Sequence, residues 1–262
     1  MANRSCSSVQ NYFGLVDRYP EYRNNLRRID SEYGYYNRRQ ADKGEELQVP
    51  VVVHIIFKEV RDDISDASIK AQIDSLTNDF TASNQDITKV PQPFQATIGN
   101  PNISFHLAKR TPDGGETNGI NRHQTAVGRF GMDNDQIKFS NEGGVDAWDT
   151  KRYLNIWVGR IDGGTLGYAQ FHGGPAWTDG VVINTMAFGF DVPAEEPFNL
   201  GRTLTHEVGH YLNLSHIWGE SRFHNCRDDD YVADTPVQLG PNVGGLHFLI
   251  FHAINNRMET CS

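Results

Sequence analysis

The sequence predicts an α/β fold with a twisted mixed sheet, on three observations. Val49 to Phe57 is a nearly continuous apolar, β-branched run, the pattern of a strand buried on both faces. Shorter strand-like runs recur at 103–108, 153–158 and 180–184. Helical periodicity at 65–80 and 200–212 interleaves with them, and strands alternating with helices mark an α/β lobe.

Taken in order, residues 1–45 form a polar, arginine-rich leading region. Val9, Phe13 and Val16 give weak helical spacing there, and 31–44 reads as an exposed linker. A compact domain is expected over 46–242, with 243–262 as a distinct tail. Ser65 and Asp66 open a helix whose apolar positions Ile69, Ile73, Leu76 and Phe80 recur at three and four residues. Gly163 to Ala169 is either a further strand or a glycine-rich loop. The last strand before the long helix is expected at the lip of a cleft, where exposed N–H and C=O groups can pair with an extended peptide. Leu200, Leu204, Val208 and Leu212 make the buried stripe of that helix, and Asn199 is its expected N-cap.

The same helix carries the chemistry. Residues 206–216 read His-Glu-Val-Gly-His-Tyr-Leu-Asn-Leu-Ser-His. His206 and His210, one turn apart, share a face and can reach one ion. His216 can return to that ion if the chain turns after Leu212, and Asn213 tolerates the left-handed backbone such a turn needs. Catalytic zinc takes three protein ligands and keeps one position open for water, whose pKa it lowers to about 7. Glu207 then stands beside that water as general base. These are the parts of a peptide-hydrolysing zinc site. The other histidines, His54, His106, His123, His172 and His224, have no ligand spacing and read as surface or satisfied core residues.

Composition narrows the function classes. A formal net charge of −9 argues against a nucleic-acid binder, which would present a basic face. No apolar run approaches the length of a membrane span, and the start of the chain lacks the apolar stretch of a secretory signal. Cys6, Cys226 and Cys261 are an odd number, so at least one is unpaired within the chain.

Beyond these readings, the chain resembles the pappalysin family of metzincin zinc endopeptidases. The matching segments are VPVVVHIIF at 49–57, ISDASIKAQIDSLTNDF at 64–80 and GGVDAWDTKRYLNIWVGRIDGGTLGYAQFHGG at 143–174. They continue with DGVVI at 179–183, GRTLTHEVGHYLNLSHIWG at 201–219 and DDYVADTP at 229–236. The resemblance implies a metzincin fold, secretion, and an extended polypeptide as substrate. It also implies zinc on His206, His210 and His216, with Glu207 as general base and acid. Such enzymes often carry an N-terminal pro-segment whose cysteine blocks the metal. Cys6 stands where that cysteine would be, as a latency ligand or as a bystander on a flexible arm, and the arginines from Arg23 to Arg39 would mark the activating cleavage. Family members also bind calcium after the third histidine. Asp228, Asp229, Asp230 and Asp234 suit that ion, and a solvated acidic loop explains them as well.

After Asn242 the resemblance stops, and the methionine turn and closing helix of a metzincin are expected to be missing from a truncated lower lobe. Met258 to Ser262 can be written in codons that, read one base earlier, spell the family's own N-G-D-M-F-M segment; only the glycine is forced. The tail is therefore expected to be a frameshifted product, which sequencing the gene across codons 238–262 tests. Residues 246–251 form an apolar run of high β-propensity, an aggregation liability if unpacked. Two readings remain at this point, a working endopeptidase or an inactive zinc- or peptide-binding remnant.

Overall fold

A computed structural model of the chain describes residues 5–36, 46–191, 193–220, 226–232, 235 and 237–240. Asp234, His224, Cys261 and the tail from 241 lie outside the described residues. The chain divides into two compact units, Met1–Leu212 and Asn213–Ser262.

The first unit is α/β, as expected. Its sheet is assembled around β2 (Leu47–Phe57), an eleven-residue strand. One edge of β2 is shared by two parallel strands in succession, β3 (Ile103–Leu107) and β4 (Ile120–Gln124). Gly119, at φ +75°, makes the entry to β4; a Cβ there would stand 2.6 Å from the Ala108 amide nitrogen, so no side chain fits. The other edge of β2 pairs in parallel with β5 (Leu154–Gly159), and β5 pairs in parallel with β7 (Val181–Asn184). Then β6 (Thr165–Ala169) runs antiparallel to β7, so Gly163 to Ala169 supplies a strand and not merely a loop.

Period-two alternation gives β2 two buried faces. Val51, Val53 and Ile55 join a dry cluster with α3 (Asp66–Phe80) and α4 (Arg202–Tyr211). On the other face, His54 stacks on Trp157 and bonds Asn155 and Asn121, while Ile56 packs with Phe130, Ile137 and Tyr168. His54 is thus a satisfied core residue, and its burial lowers its pKa to about 4. The start of α3 follows expectation: the Ser65 side chain accepts from the Ser68 N–H, and Ile69, Ile73, Leu76 and Phe80 are buried.

The structure corrects three expectations. Asn199 is not the cap of the helix that carries His206 and His210. Gly201, left-handed at φ +72°, precedes Arg202 with no side-chain cap, and Leu200 is 61% exposed, so the buried stripe begins at Leu204. Gly201 is fixed by packing: its carbonyl accepts from Gln72, and a Cβ there would press on that amide. Next, the last strand before the helix, β7, lies inside the sheet, and the neighbouring β6 reaches the rim. Finally, 31–36 is helix, not linker. The leading region folds as β1 (Ser5–Cys6), α1 (Ser8–Arg18) and α2 (Glu21–Tyr36). There β1 pairs in parallel with β6, while Leu15, Val16 and Tyr22 pack with Phe171.

The second unit opens at Asn213, which takes the left-handed conformation expected of it (φ +71°). Cys226 is disulfide-bonded. Among the described residues no helix is long and apolar enough to cross a membrane.

Candidate metal centre

Helix α4 sets the geometry of the centre. Its inner face is anchored by Leu204 and Val208 in the dry cluster, which turns the flank bearing positions 206, 207 and 210 toward β6. The Nε2 atoms of His206 and His210 stand 3.1 Å apart. Two ligands of a tetrahedral ion at about 2.0–2.1 Å lie about 3.3–3.4 Å from each other, so the two imidazoles already sit near the spacing of a shared ion. Phe171 meets His210 edge-on at 5.5 Å, limiting its rotation. Cys6 joins them: one ligand atom from each of Cys6, His206 and His210 lies within 4.8 Å of the others. Imidazole and thiol donors suit a borderline-soft ion such as zinc, and are poor partners for calcium or magnesium.

Glu207 is buried beside this group, and β6 makes room for it. A Cβ on Gly167 would fall 2.9 Å from the Glu207 Cγ, so only glycine lets the carboxylate in. The N-terminal segment closes over it. Ser8 Oγ donates to Glu207 Oε2 at 2.8 Å, and the Cys6 thiol lies 3.5 Å from the same oxygen. Ser8 Oγ also accepts from the Ala169 N–H at 2.8 Å. Burial and the neighbouring Glu207 carboxylate push the Cys6 thiol pKa up. The rim of β6 is occupied further along: Ser7 N donates to Gly167 O at 3.0 Å, and Asn11 Nδ2 to Ala169 O at 3.3 Å.

His216 belongs to the second unit. Its N–H donates to Glu220 Oε1 at 2.7 Å, and its Nδ1 lies 3.0 Å from Glu220 Oε2. A carboxylate on Nδ1 favours the tautomer whose Nε2 lone pair is able to bind a metal. Trp218 stacks on the ring with centroids 4.6 Å apart. Reading the sequence missed Glu220, whose four-residue spacing from His216 was the available signal. It also missed Ser8 and Gly167. Of the acidic group, Asp229 and Asp230 each spend a carboxylate oxygen on a nearby backbone N–H, of Tyr231 and Val232 respectively. Among the described residues they form no cluster of three metal-binding side chains.

Comparison with known proteins agrees with this geometry. The family model described as pregnancy-associated plasma protein-A matches residues 139–261, a span that continues past Asn242 into the tail. Mature mirolysin of Tannerella forsythia, solved with a cleaved peptide, is 47% identical, with a TM-score of 0.72 over 76% of this chain and 74% of that one. A promirolysin variant from the same organism is 42% identical, with a TM-score of 0.79 over 91% of this chain and 78% of that one. Extracellular metalloprotease 1 of Coccidioides posadasii is 35% identical over 76% of this chain. An extracellular metalloprotease of Arthroderma otae is 36% identical over 45% of it. The chain spans 63% and 42% of those two fungal proteins, respectively. The family resemblance drawn from the motifs therefore holds: the chain belongs to the pappalysin family of metallopeptidases.

Proposed function

We propose that the chain is a zinc-dependent endopeptidase whose site is closed by its own N-terminal segment. The observation that carries this is the buried Glu207 carboxylate, set beside two converging imidazoles and capped by Ser8. His206, His210 and His216 hold the ion in this reading, the third because it follows His210 by six residues beyond the left-handed Asn213. Zinc, when bound, supplies Lewis acidity and makes hydroxide available near neutral pH.

The chain's own residues do the rest. Glu207, freed of Ser8, accepts a proton from the attacking water at a carboxylate oxygen and delivers it to the leaving amine nitrogen. Its burial excludes bulk water from that transfer. The substrate is a polypeptide lying extended on β6, because the groups that would pair with its main chain are the ones now taken by Ser7, Ser8 and Asn11. Cys6 acts as the latency ligand, supported by its thiol lying with the His206 and His210 nitrogens. Cleavage in the stretch before β2 would then release the segment. Secretion follows from the relatives named extracellular metalloproteases. Calcium at Asp228, Asp229, Asp230 and Asp234 is a further part of the reading, supported by the hard oxygen donors these residues bring close together in the sequence.

Metal analysis of the purified chain together with casein digestion tests the whole. About one zinc per chain is expected, with digestion that a chelator stops and added zinc restores. A well-folded sample that takes up no metal overturns the reading.

A further inference from the structure

We propose that a recess at the β3 end of the sheet is a second binding site, for a small aromatic carboxylate. It encloses about 530 Å³ beside β2 and β3, a volume within the range of small-molecule sites. It lies wholly in the first unit, with β7 and β5 between β6 and β2, and it does not rest on the peptidase reading. Strand pairing explains why the sheet is notched there. Leu47 N–H donates to Asn102 O and Val51 O accepts from the Ala108 N–H, so odd positions of β2 bond toward β3. Position 50 therefore faces β5, and Pro50 has no N–H to give it. The ladder between β2 and β5 begins only at Val51 and Leu154. Before that point Gln48 and Pro50, with their register partners Ser104 and His106, line the recess from one face of the sheet.

The walls are fixed and the mouth is cationic. Tyr153 is buried, its hydroxyl donates to Arg110 O at 3.0 Å, and its ring meets Trp148 edge-on at 5.3 Å. Ala108, also buried, is held by the bond to Val51. Pro50, Ser104 and His106 are half-buried, whereas Lys109 and Arg110 are exposed. The lining thus carries three basic side chains, His106, Lys109 and Arg110, and no carboxylate. That is a local reversal of sign in a chain whose formal net charge is −9. Among the described residues, the side chains of Gln48, Ser104, His106 and Lys109 hold no hydrogen bond or ion pair. Their donors are left for whatever enters the recess.

Charge selects an anion, and Arg110 selects a carboxylate. Its Nη1 stands 3.8 Å from Glu116 Oε1, with both side chains well exposed. A surface pair of this kind contributes little, so a ligand carboxylate can take the place of Glu116. The planar guanidinium matches two carboxylate oxygens, and Lys109 adds a second positive charge beside it. The Ser104 hydroxyl and the Gln48 amide can donate to the remaining lone pairs. Pro50, Ala108 and Tyr153 offer apolar surface to the rest of the molecule, and the Tyr153 ring favours an aromatic body.

Calorimetry on the full-length chain, with naphthoate as the probe, tests the site. A Kd of about 1 mM or tighter is expected for a ligand of this size. Lys109→Glu and Arg110→Glu should each weaken binding roughly tenfold or more, the loss of one charge-assisted contact. Their melting curves should match the unaltered chain, because both side chains are exposed. The neutral naphthylmethanol should bind roughly tenfold more weakly than naphthoate or worse. One readout needs no variant: the imidazole proton signals of His106 should move as naphthoate is added, while those of the buried His54 stay in place. Equal binding of naphthoate and the alcohol would reduce the recess to an apolar patch and overturn the proposal. Naphthoate binding that survives both charge reversals, as it would on a metal ion, overturns it too, and so does the absence of binding. Tighter binding of naphthyl phosphate than of naphthoate, lost in the same two variants, overturns the carboxylate assignment and keeps the anion site.

Discussion

The centre of the sheet and its β6 rim are held by opposite kinds of force. Around β2 and β5 most buried side chains are apolar, contributed by both faces and by α3 and α4, with the hydrogen-bonded His54 and Asn155 as the polar exception. At the rim the contacts are hydroxyl to carboxylate, hydroxyl to amide, and guanidinium to carboxylate. Apolar burial is non-directional and is lost only by unfolding, whereas each rim contact can be exchanged for an equivalent one from another chain. The contrast separates the part that makes the fold from a rim whose contacts another chain could supply.

The largest effect expected at the rim is on turnover. Glu207→Ala should lower proteolysis by roughly 10²–10⁴-fold or more, since a positioned general base contributes that much. Zinc content and the melting curve should remain those of a folded protein. Retained turnover would break the assignment of Glu207. At the centre the matching change is Leu76→Ala, which should cost about 2–5 kcal/mol in urea unfolding, because a fully buried leucine leaves a cavity among close neighbours. A cost below about 1 kcal/mol would show that the centre is less rigidly packed than the rim contrast requires.

Legibility in the sequence divides along the same line. β2 and α3 were readable because their apolar periodicity is local, and the His206–Glu207–His210 group because its members share one helical turn. Asn213 was readable since few residues other than glycine accept a positive φ. The start of α4 was not, because Gly201 is set by Gln72, over a hundred residues away. Nor was the helix over 31–36, where serine, glycine and tyrosine are weak helix formers that give no periodic stripe. Ser8 gave no sign at all. Its partner Glu207 is 199 residues distant, and a serine in the first turn of a helix carries no local mark of such a contact.

Acid and base should separate the two regions further. His54 titrates near 4 when folded and near 6.5 when unfolded, so the unfolded chain binds the extra proton between those values. Its contribution to stability is whole above pH 6.5, falls as pH drops, and is lost by pH 4, a change of about 3 kcal/mol. Asp179 behaves in reverse. Its folded pKa of about 6 exceeds the ordinary 3.8, so the folded chain holds the extra proton. Stability from that group is whole below 3.8 and lost as pH rises through 6, by roughly 2 kcal/mol after allowing for partial solvation. Unfolding midpoints measured against pH check both: His54→Gln should flatten the acid side, and Asp179→Asn should stabilise at pH 7 while leaving pH 4 unchanged. Slopes of the same sign from both variants would refute the opposition.

The smallest effect is the one that best measures how reversible the rim is. Ser8→Ala removes a hydroxyl that bonds both Glu207 Oε2 and the Ala169 N–H, leaving an acceptor and a donor to find water. A hydrogen bond to a charged group is worth about 1.5–3 kcal/mol, but Cys6 stays near the same carboxylate and α1 stays packed on Phe171. A net loosening of about 1–2 kcal/mol is therefore expected, confined to the segment. Hydrogen exchange reads it directly: the Ala169 amide should exchange roughly tenfold faster or more, while amides of β5 keep their rates. If exchange instead rose across β5 and β6 together, the segment would belong to the same cooperative unit as the centre, and its release would cost the fold.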